Sequence, residues 1–180
     1  MGKIIETISN HIEHEMLIKI ERAGIEEHDI SGFPLILSEH LLVMSNIFDF
    51  HNEGFSVIRL KDITDAYSKE SCAFYEQICI SEGLKKRAND SLIKDATDFA
   101  AVLRQLIPYD KFVTIACELE DSEFSFSIGK VSSVDGSIVQ FHYFDSMGVW
   151  EDEMRSIPLH EITRVAIGGH YANVFYRYVR

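Results

Sequence analysis

Apolar residues recur every three or four positions in two segments, one near the start of the chain and one just past its middle. The first segment carries Ile4, Ile5, Ile8 and Ile12, and the second carries Ile93, Ala96, Ala100, Leu103 and Ile107. This spacing predicts two amphipathic helices, with Asp90 or Ser91 as the N-cap of the second. Two more helices are expected, from Ser68 to about Lys86 and from His170 to the end of the sequence.

After each of the first two helices, the pattern changes to short runs rich in β-branched and aromatic residues, in the same order both times. Runs 16–21, 29–36 and 41–44 have counterparts in runs 112–118, 124–131 and 137–141. The second run of each series holds a glycine, Gly32 or Gly129, and each series ends in an acidic residue, Ile and Thr. This agreement, at an offset of roughly 95 to 100 residues, predicts an internal duplication.

Each series contains enough short strands, with turn signals between them, to form a small sheet of its own. A barrel is favoured, because closure removes exposed strand edges, and a glycine inside a strand suits the bend that closure needs. An open sheet is the alternative. We therefore predict an α+β, mainly β protein of two helix-plus-barrel units, residues 1–88 and 89–180, joined by a helical connector at about 68–86.

The order of parts, one helix and then five strands with a glycine in the second, resembles the Sm-like fold, a strongly bent barrel of the SH3-like kind. The resemblance covers about residues 4–67 and again about 96–166. It implies two tandem five-stranded barrels. Fold analogy of this kind leaves the activity open.

The residues by which Sm-like proteins bind uridine-rich RNA are replaced in this chain. The family uses an Asp and an Asn in one loop and an Arg-Gly or Lys-Gly pair in another. Here Arg59 is followed by Leu60 and Arg155 by Ser156, so the RNA site is not carried over. Members of the family also form rings by pairing strand edges, which tandem units and extra helices could cover here.

The chain is acidic, with 29 Asp and Glu against 17 Lys and Arg and a formal net charge of -12. Such a field repels phosphate backbones and attracts basic partners. Nucleic acid is therefore a disfavoured ligand, and a basic protein is a favoured one.

Cysteine usage and hydropathy bear on the compartment. The three cysteines show no C-x-x-C spacing, so neither a disulfide framework nor a zinc knuckle is indicated. No stretch approaches the roughly 18 apolar residues of a membrane span, and the first 16 residues lack a signal-peptide core. A reducing, cytoplasmic location without membrane insertion is expected, while the oligomeric state stays open.

Motifs that would indicate an enzyme are absent from the sequence. It holds no Gly-rich phosphate loop, no G-x-S-x-G elbow and no H-E-x-x-H pair. His11 and His14 stand three apart on the first predicted helix and could share a metal with one more ligand, but a solvated polar face of the helix is the favoured explanation. We assign no catalytic, cofactor-binding or metal-binding residue.

The candidate partner-binding residues lie in acidic turns. Trp150, the only tryptophan, is followed by Glu151 and Asp152. Asp49 and Asp145 occupy the matching predicted turns of the two halves, residues 48–54 and 144–148. A rigid aromatic side chain beside carboxylates suits a basic, partly apolar partner. Alternatively, Trp150 folds back and completes a core.

These observations favour a non-enzymatic protein-interaction module, with a basic partner of the kind that an immunity protein or inhibitor binds. An Sm-like RNA-binding protein is the first alternative, because the fold resemblance favours it. An enzyme with its site between the two units is the second, because clefts between units often hold ligands.

Overall fold

Helices lie at four places along the part of the chain that the structure describes. The computed structural model describes residues 1–119, 122 and 125–179, so the first residue of the predicted run 124–131 and the last of the sequence lie outside it. The helices are α1 (Gly2–Glu13), α2 (Glu70–Ser81), α3 (Phe99–Leu106) and α4 (His170–Tyr178), with 3₁₀ turns at Leu60–Asp62 and Ala88–Asp90. No helix in these ranges has the length and apolar character needed to span a bilayer.

Within the residues that the structure describes, ten strands form a single antiparallel sheet. They are β1 (Ile18–Glu21), β2 (Ile30–Leu37), β3 (Leu41–Phe48), β4 (His51–Arg59), β5 (Asp65–Tyr67), β6 (Val113–Ala116), β7 (Phe126–Asp135), β8 (Ile138–Tyr143), β9 (Arg155–Pro158) and β10 (Arg164–Ile167). Their order across the sheet is β5-β1-β2-β3-β4-β10-β6-β7-β8-β9. The predicted α+β, mainly β class is confirmed.

The sheet is open and continuous, where the sequence pattern predicts two separate closed barrels. Residues 55–58 of β4 pair with residues 164–167 of β10, which joins the first half (residues 1–88) to the second half (residues 89–180). We call this junction the seam. Each half protects a strand edge of the other at the seam.

The predicted start of the helix in the second half is wrong. The carboxylate of Asp98 caps α3 by accepting a hydrogen bond from the Ala101 amide at 2.7 Å, so the cap is neither Asp90 nor Ser91. Asp90 instead accepts from the Arg87 amide at 2.8 Å in the preceding 3₁₀ turn. The observed helix is shorter than predicted, because Ile93 and Ala96 are buried in the core from the irregular segment that precedes it.

The turn between β3 and β4 is shorter than predicted. Asp49 and Phe50 both have positive φ angles, 44° and 58°, the conformation of a two-residue hairpin turn. The chain therefore enters β4 at His51, and the end of the predicted turn 48–54 belongs to the strand.

The two halves share strand register around their matched glycines. β1 places Ile18 opposite Gly32, and β6 places Val113 opposite Gly129. A bulge follows two residues after each glycine, between Pro34 and Ile36 in one half and between Val131 and Ser133 in the other.

The corner before the fifth strand is also built in the same way in both halves. The amide of Thr64 donates to the Glu21 carbonyl and the amide of Thr163 to the Ala116 carbonyl, both at 2.9 Å. The Thr64 hydroxyl also donates to the Glu21 carbonyl at 3.2 Å, and the Thr163 hydroxyl oxygen lies in the equivalent place, 3.0 Å from the Ala116 carbonyl oxygen. One threonine thus fixes the bend in each half.

Each half has an inner core and a smaller outer core. The inner core of the first half lies under α1 and includes Ile8, Ile18 and Ile58. The inner core of the second half extends across the seam to three side chains of the first half, Leu41, Val43 and Val57. The outer cores lie under α2 and α4, on the opposite face of each half.

Candidate interaction surfaces

The first half has an outer groove, the first groove, between α2 and the β3–β4 hairpin. Its cavity of about 360 Å³ is lined by residues that include Leu17, Lys19, Asp29, Ile47, Asp49 and Tyr75. The tight turn holds the hairpin against α2: the Phe50 and Tyr75 rings lie 4.7 Å apart, and the Phe50 amide donates to the Tyr75 hydroxyl at 3.4 Å.

Three exposed aromatic side chains lie on the two elements that border the first groove, the β3–β4 hairpin and α2. Phe48 is 71% exposed, Phe74 69% and Phe50 41%. Phe74 lies on the solvent side of α2, because Cys72 and Cys79 occupy the buried side of that helix. The sequence pattern does not identify these rings as a surface.

Charged groups lie beside these rings. Asp29 accepts a hydrogen bond from the Tyr67 hydroxyl at 2.5 Å and lies 3.9 Å from the Lys19 ammonium. The hydrogen bond to Asp29 and then burial raise the pKa of Tyr67 to about 12, so its hydroxyl stays a donor. Asp49 stands exposed at the rim.

The second half has a corresponding outer groove, the second groove, beside α4. Its cavity of about 400 Å³ is lined by residues that include Ile128, Phe144, Asp145, Glu151 and Phe175. Arg155 stacks on the Tyr143 ring at 3.8 Å and donates to the Ser127 hydroxyl at 2.7 Å. Phe126 and Tyr171 are half-exposed at the rim.

The predicted partner-binding residues are divided between the two grooves. Asp49 lines the first groove, while Asp145 and Glu151 line the second. Asp152 is exposed on the same turn as Glu151. Strands β10, β6 and β7 lie between the β3–β4 hairpin and the turn after β8, so the set is not brought together.

Trp150 and Asp145 shape the turn between β8 and β9. The indole is half-buried, with ring centroids 5.5 Å from Phe112, 5.6 Å from Phe144 and 4.3 Å from His142. The Asp145 carboxylate accepts from the amides of Met147 and Val149, both at 2.9 Å. Trp150 therefore folds back onto the outer core of the second half, as the second interpretation of this residue predicts.

A partly buried cluster of two arginines and two glutamates connects the halves. Arg22, whose side chain is fully buried, donates to Glu26 at 2.9 Å and to Glu118 at 2.6 Å. Arg164 reaches Glu26 at 2.7 Å and Glu118 at 3.7 Å. Only the i, i+4 spacing of Arg22 and Glu26 is visible in the sequence.

The surroundings of Glu118 change the pKa of its carboxyl group. Burial alone would raise the pKa of its carboxyl group. The hydrogen bonds from Thr163 and Arg22 and the nearby guanidinium charges together lower this pKa by more than burial raises it. The net effect holds the pKa below its ordinary value of 4.5. The Thr163 hydroxyl donates at 2.6 Å, so the residue that fixes the corner before β10 also fixes this carboxylate.

A third, mostly apolar groove lies between the halves and is bordered by His40, Arg59 and His160. The Arg59 guanidinium forms an ion pair with Asp62, at 2.7 and 3.0 Å, and donates to the His160 carbonyl at 2.9 Å. This arginine therefore serves the structure of the seam.

The paired histidines of α1 bind the helix backbone. Nδ1 of His11 lies 2.7 Å from the Thr7 carbonyl, and Nδ1 of His14 lies 2.9 Å from the Asn10 carbonyl. A carbonyl oxygen only accepts, so each Nδ1 is the donor. Within residues 1–119, 122 and 125–179, no three His, Cys, Asp or Glu side chains are placed to hold a metal ion.

Comparisons with known proteins give no relative for this chain. No family model matches it, and neither a curated protein nor a solved structure does. What the grooves bind is therefore inferred from their own side chains.

Proposed function

We propose that the protein acts by binding a basic protein through the first groove. The observation that carries this proposal is the exposure of Phe48, which lines the first groove beside the acidic residue Asp49. A second exposed ring, Phe74, lies on α2, the helix that borders this groove. Exposed apolar patches rimmed by polar residues mark interaction sites. Burying two phenylalanine rings removes apolar surface from water, which favours binding.

The sign of the partner's charge follows from the net charge of the chain. A formal charge of -12 accelerates encounter with a basic molecule and repels an acidic one. A segment with an apolar side chain next to Lys or Arg would fill the groove and meet Asp49.

The second groove is proposed as a further contact for the same partner. Glu151 and Asp152 lie at or beside it and supply the same sign of charge as Asp49. Trp150 and Asp145 would contribute indirectly, because they hold the turn that carries both acids.

We also propose that the two halves are copies of one Sm-like unit joined edge to edge. The shared strand order, the matched glycines and the matched threonine corners support this. On this account the grooves are equivalent surfaces whose side chains have diverged.

A random peptide-display library tests the proposed binding. The library is selected on the wild-type protein, and the enriched peptides are measured on Phe48→Ser/Phe74→Ser and on the control Leu92→Ser, which alters an exposed leucine on the segment before α3. We expect peptides with Lys or Arg beside an aromatic or aliphatic residue. Their affinity should fall about tenfold or more in the double variant and stay unchanged in the control.

Salt dependence and an RNA probe complete this test. Raising the salt concentration should slow association of the peptides with little change in dissociation. Acidic peptides, or peptides that bind the double variant as tightly as wild type, would contradict the proposal. Binding of oligouridine that weakens steeply with salt would favour the Sm-like RNA-binding alternative instead.

A further inference from the structure

At the seam, the outward face of β3 and β4 is covered by the second half. Leu41, Val43 and Val57 are buried and belong to the inner core of the second half. Val57 lies directly opposite Val165 of β10. The outward face of β3 and β4 is therefore apolar at the place where the edge of β4 pairs with β10.

The corresponding face of the second half is polar. Val43 pairs with Val57 in the first half, and Gln140 pairs with Ser156 at the same register in the second. The Ser156 hydroxyl donates to the Gln140 side-chain oxygen at 3.0 Å, and Ser156 is exposed. The equivalent of Leu41 is Ile138, which is 38% exposed.

The outer edge of β9 also lacks a hydrogen-bond donor that β4 has. The Arg59 amide donates to the Thr163 carbonyl across the seam at 3.2 Å. By register, Pro158 takes the place of Arg59, and proline has no amide hydrogen. Proline on an edge strand prevents continued pairing.

The other outer edge of the sheet, β5, is short and partly occupied. This strand has only three residues, against four in its counterpart β10. The Ala66 amide donates to the neighbouring Asp65 carboxylate at 2.8 Å, and a charged residue on a short edge strand discourages pairing.

We infer that Gln140, Ser156 and Pro158 end the sheet at β9, so that a second copy of the chain does not add its β5 there. The seam is a head-to-tail contact between equivalent units, and such a contact repeats into rings or filaments unless one edge is changed. The changed edge keeps the protein monomeric. This inference is independent of what the grooves bind.

Restoring the seam residues at the outer edge tests the inference. The variant Gln140→Val/Ser156→Val/Pro158→Arg is compared with wild type by sedimentation velocity from micromolar to submillimolar concentration. The control Ser9→Val/Asn10→Val places valines at exposed positions of α1. Wild type and control should stay monomeric. The triple variant should reach about twice the monomer mass or more, with new hydrogen-exchange protection at β5 and β9.

Two results would overturn the inference. One is concentration-dependent association of the wild-type protein with protection at β5 and β9, a measurement that needs no variant to fold. The other is a folded triple variant, or a folded Ser156→Val/Pro158→Ala variant, that remains monomeric at every concentration.

Discussion

Gly32 and Gly129 allow a close approach between neighbouring strands in their halves. A Cβ on Gly32 would overlap the backbone carbonyl oxygen of Ser45, and a Cβ on Gly129 would overlap that of His142. A backbone carbonyl in a sheet does not rotate away as a side chain does, so an added methyl group would separate the strands.

We expect Gly32→Ala and Gly129→Ala each to lower the free energy of unfolding by about 3 kcal/mol or more, because both overpack a strand contact. Urea unfolding measures the change. Gly2→Ala is the control: an added Cβ there has no neighbour within 4 Å, so its effect should stay within about 0.5 kcal/mol. A Gly32→Ala or Gly129→Ala protein as stable as the control would show that the two strands lie further apart.

The sequence predicts some of these positions better than others. It identifies Gly32 and Gly129 as matched strand glycines, because a glycine between β-branched residues is conspicuous. It leaves two interpretations for Trp150 and does not distinguish exposed Phe48 from buried Phe33. Whether a ring is covered depends on a helix that arrives later in the chain, which local spacing does not encode.

At the scale of elements, the seam is the feature that local patterns predict least. Pairing between β4 and β10 joins residues more than 100 positions apart, and alternation within a strand does not name its neighbour. One signal is present: residues 41–44 are apolar at four consecutive positions, which is typical of a strand buried on both faces. Residues 138–141 interrupt that run with Gln140.

Acidification should weaken the seam through Glu118. Because its folded pKa lies below the ordinary value of 4.5, its contribution to stability is complete above that value and is lost as the pH falls through the folded pKa. Glu118→Gln should lower the free energy of unfolding by about 1 to 3 kcal/mol at neutral pH.

Denaturant unfolding of both proteins between neutral and acid pH measures this difference. The gap between wild type and Glu118→Gln should narrow on acidification, whereas Glu153→Gln, at an exposed position, should follow wild type throughout. A gap that stays constant with pH would mean that the Glu118 carboxylate gains nothing from its arginine and threonine partners.

At the scale of the whole molecule, two kinds of surface can be distinguished. The outer edges of the sheet are polar or blocked, while the first groove exposes aromatic rings within an acidic molecule. The protein buries Leu41, Val43 and Val57 completely at its seam. It leaves Phe48 and Phe74 exposed, so we expect a partner to cover these two rings.

Backbone amide shifts in an NMR titration with a peptide selected on the wild-type protein test this claim most directly. We expect the shifted amides to cluster at residues 47–51 and along α2, and to move less on addition of salt at equal peptide concentration. Shifts that cluster around His40 and His160 in the groove between the halves, with none at the β3–β4 hairpin, would contradict it.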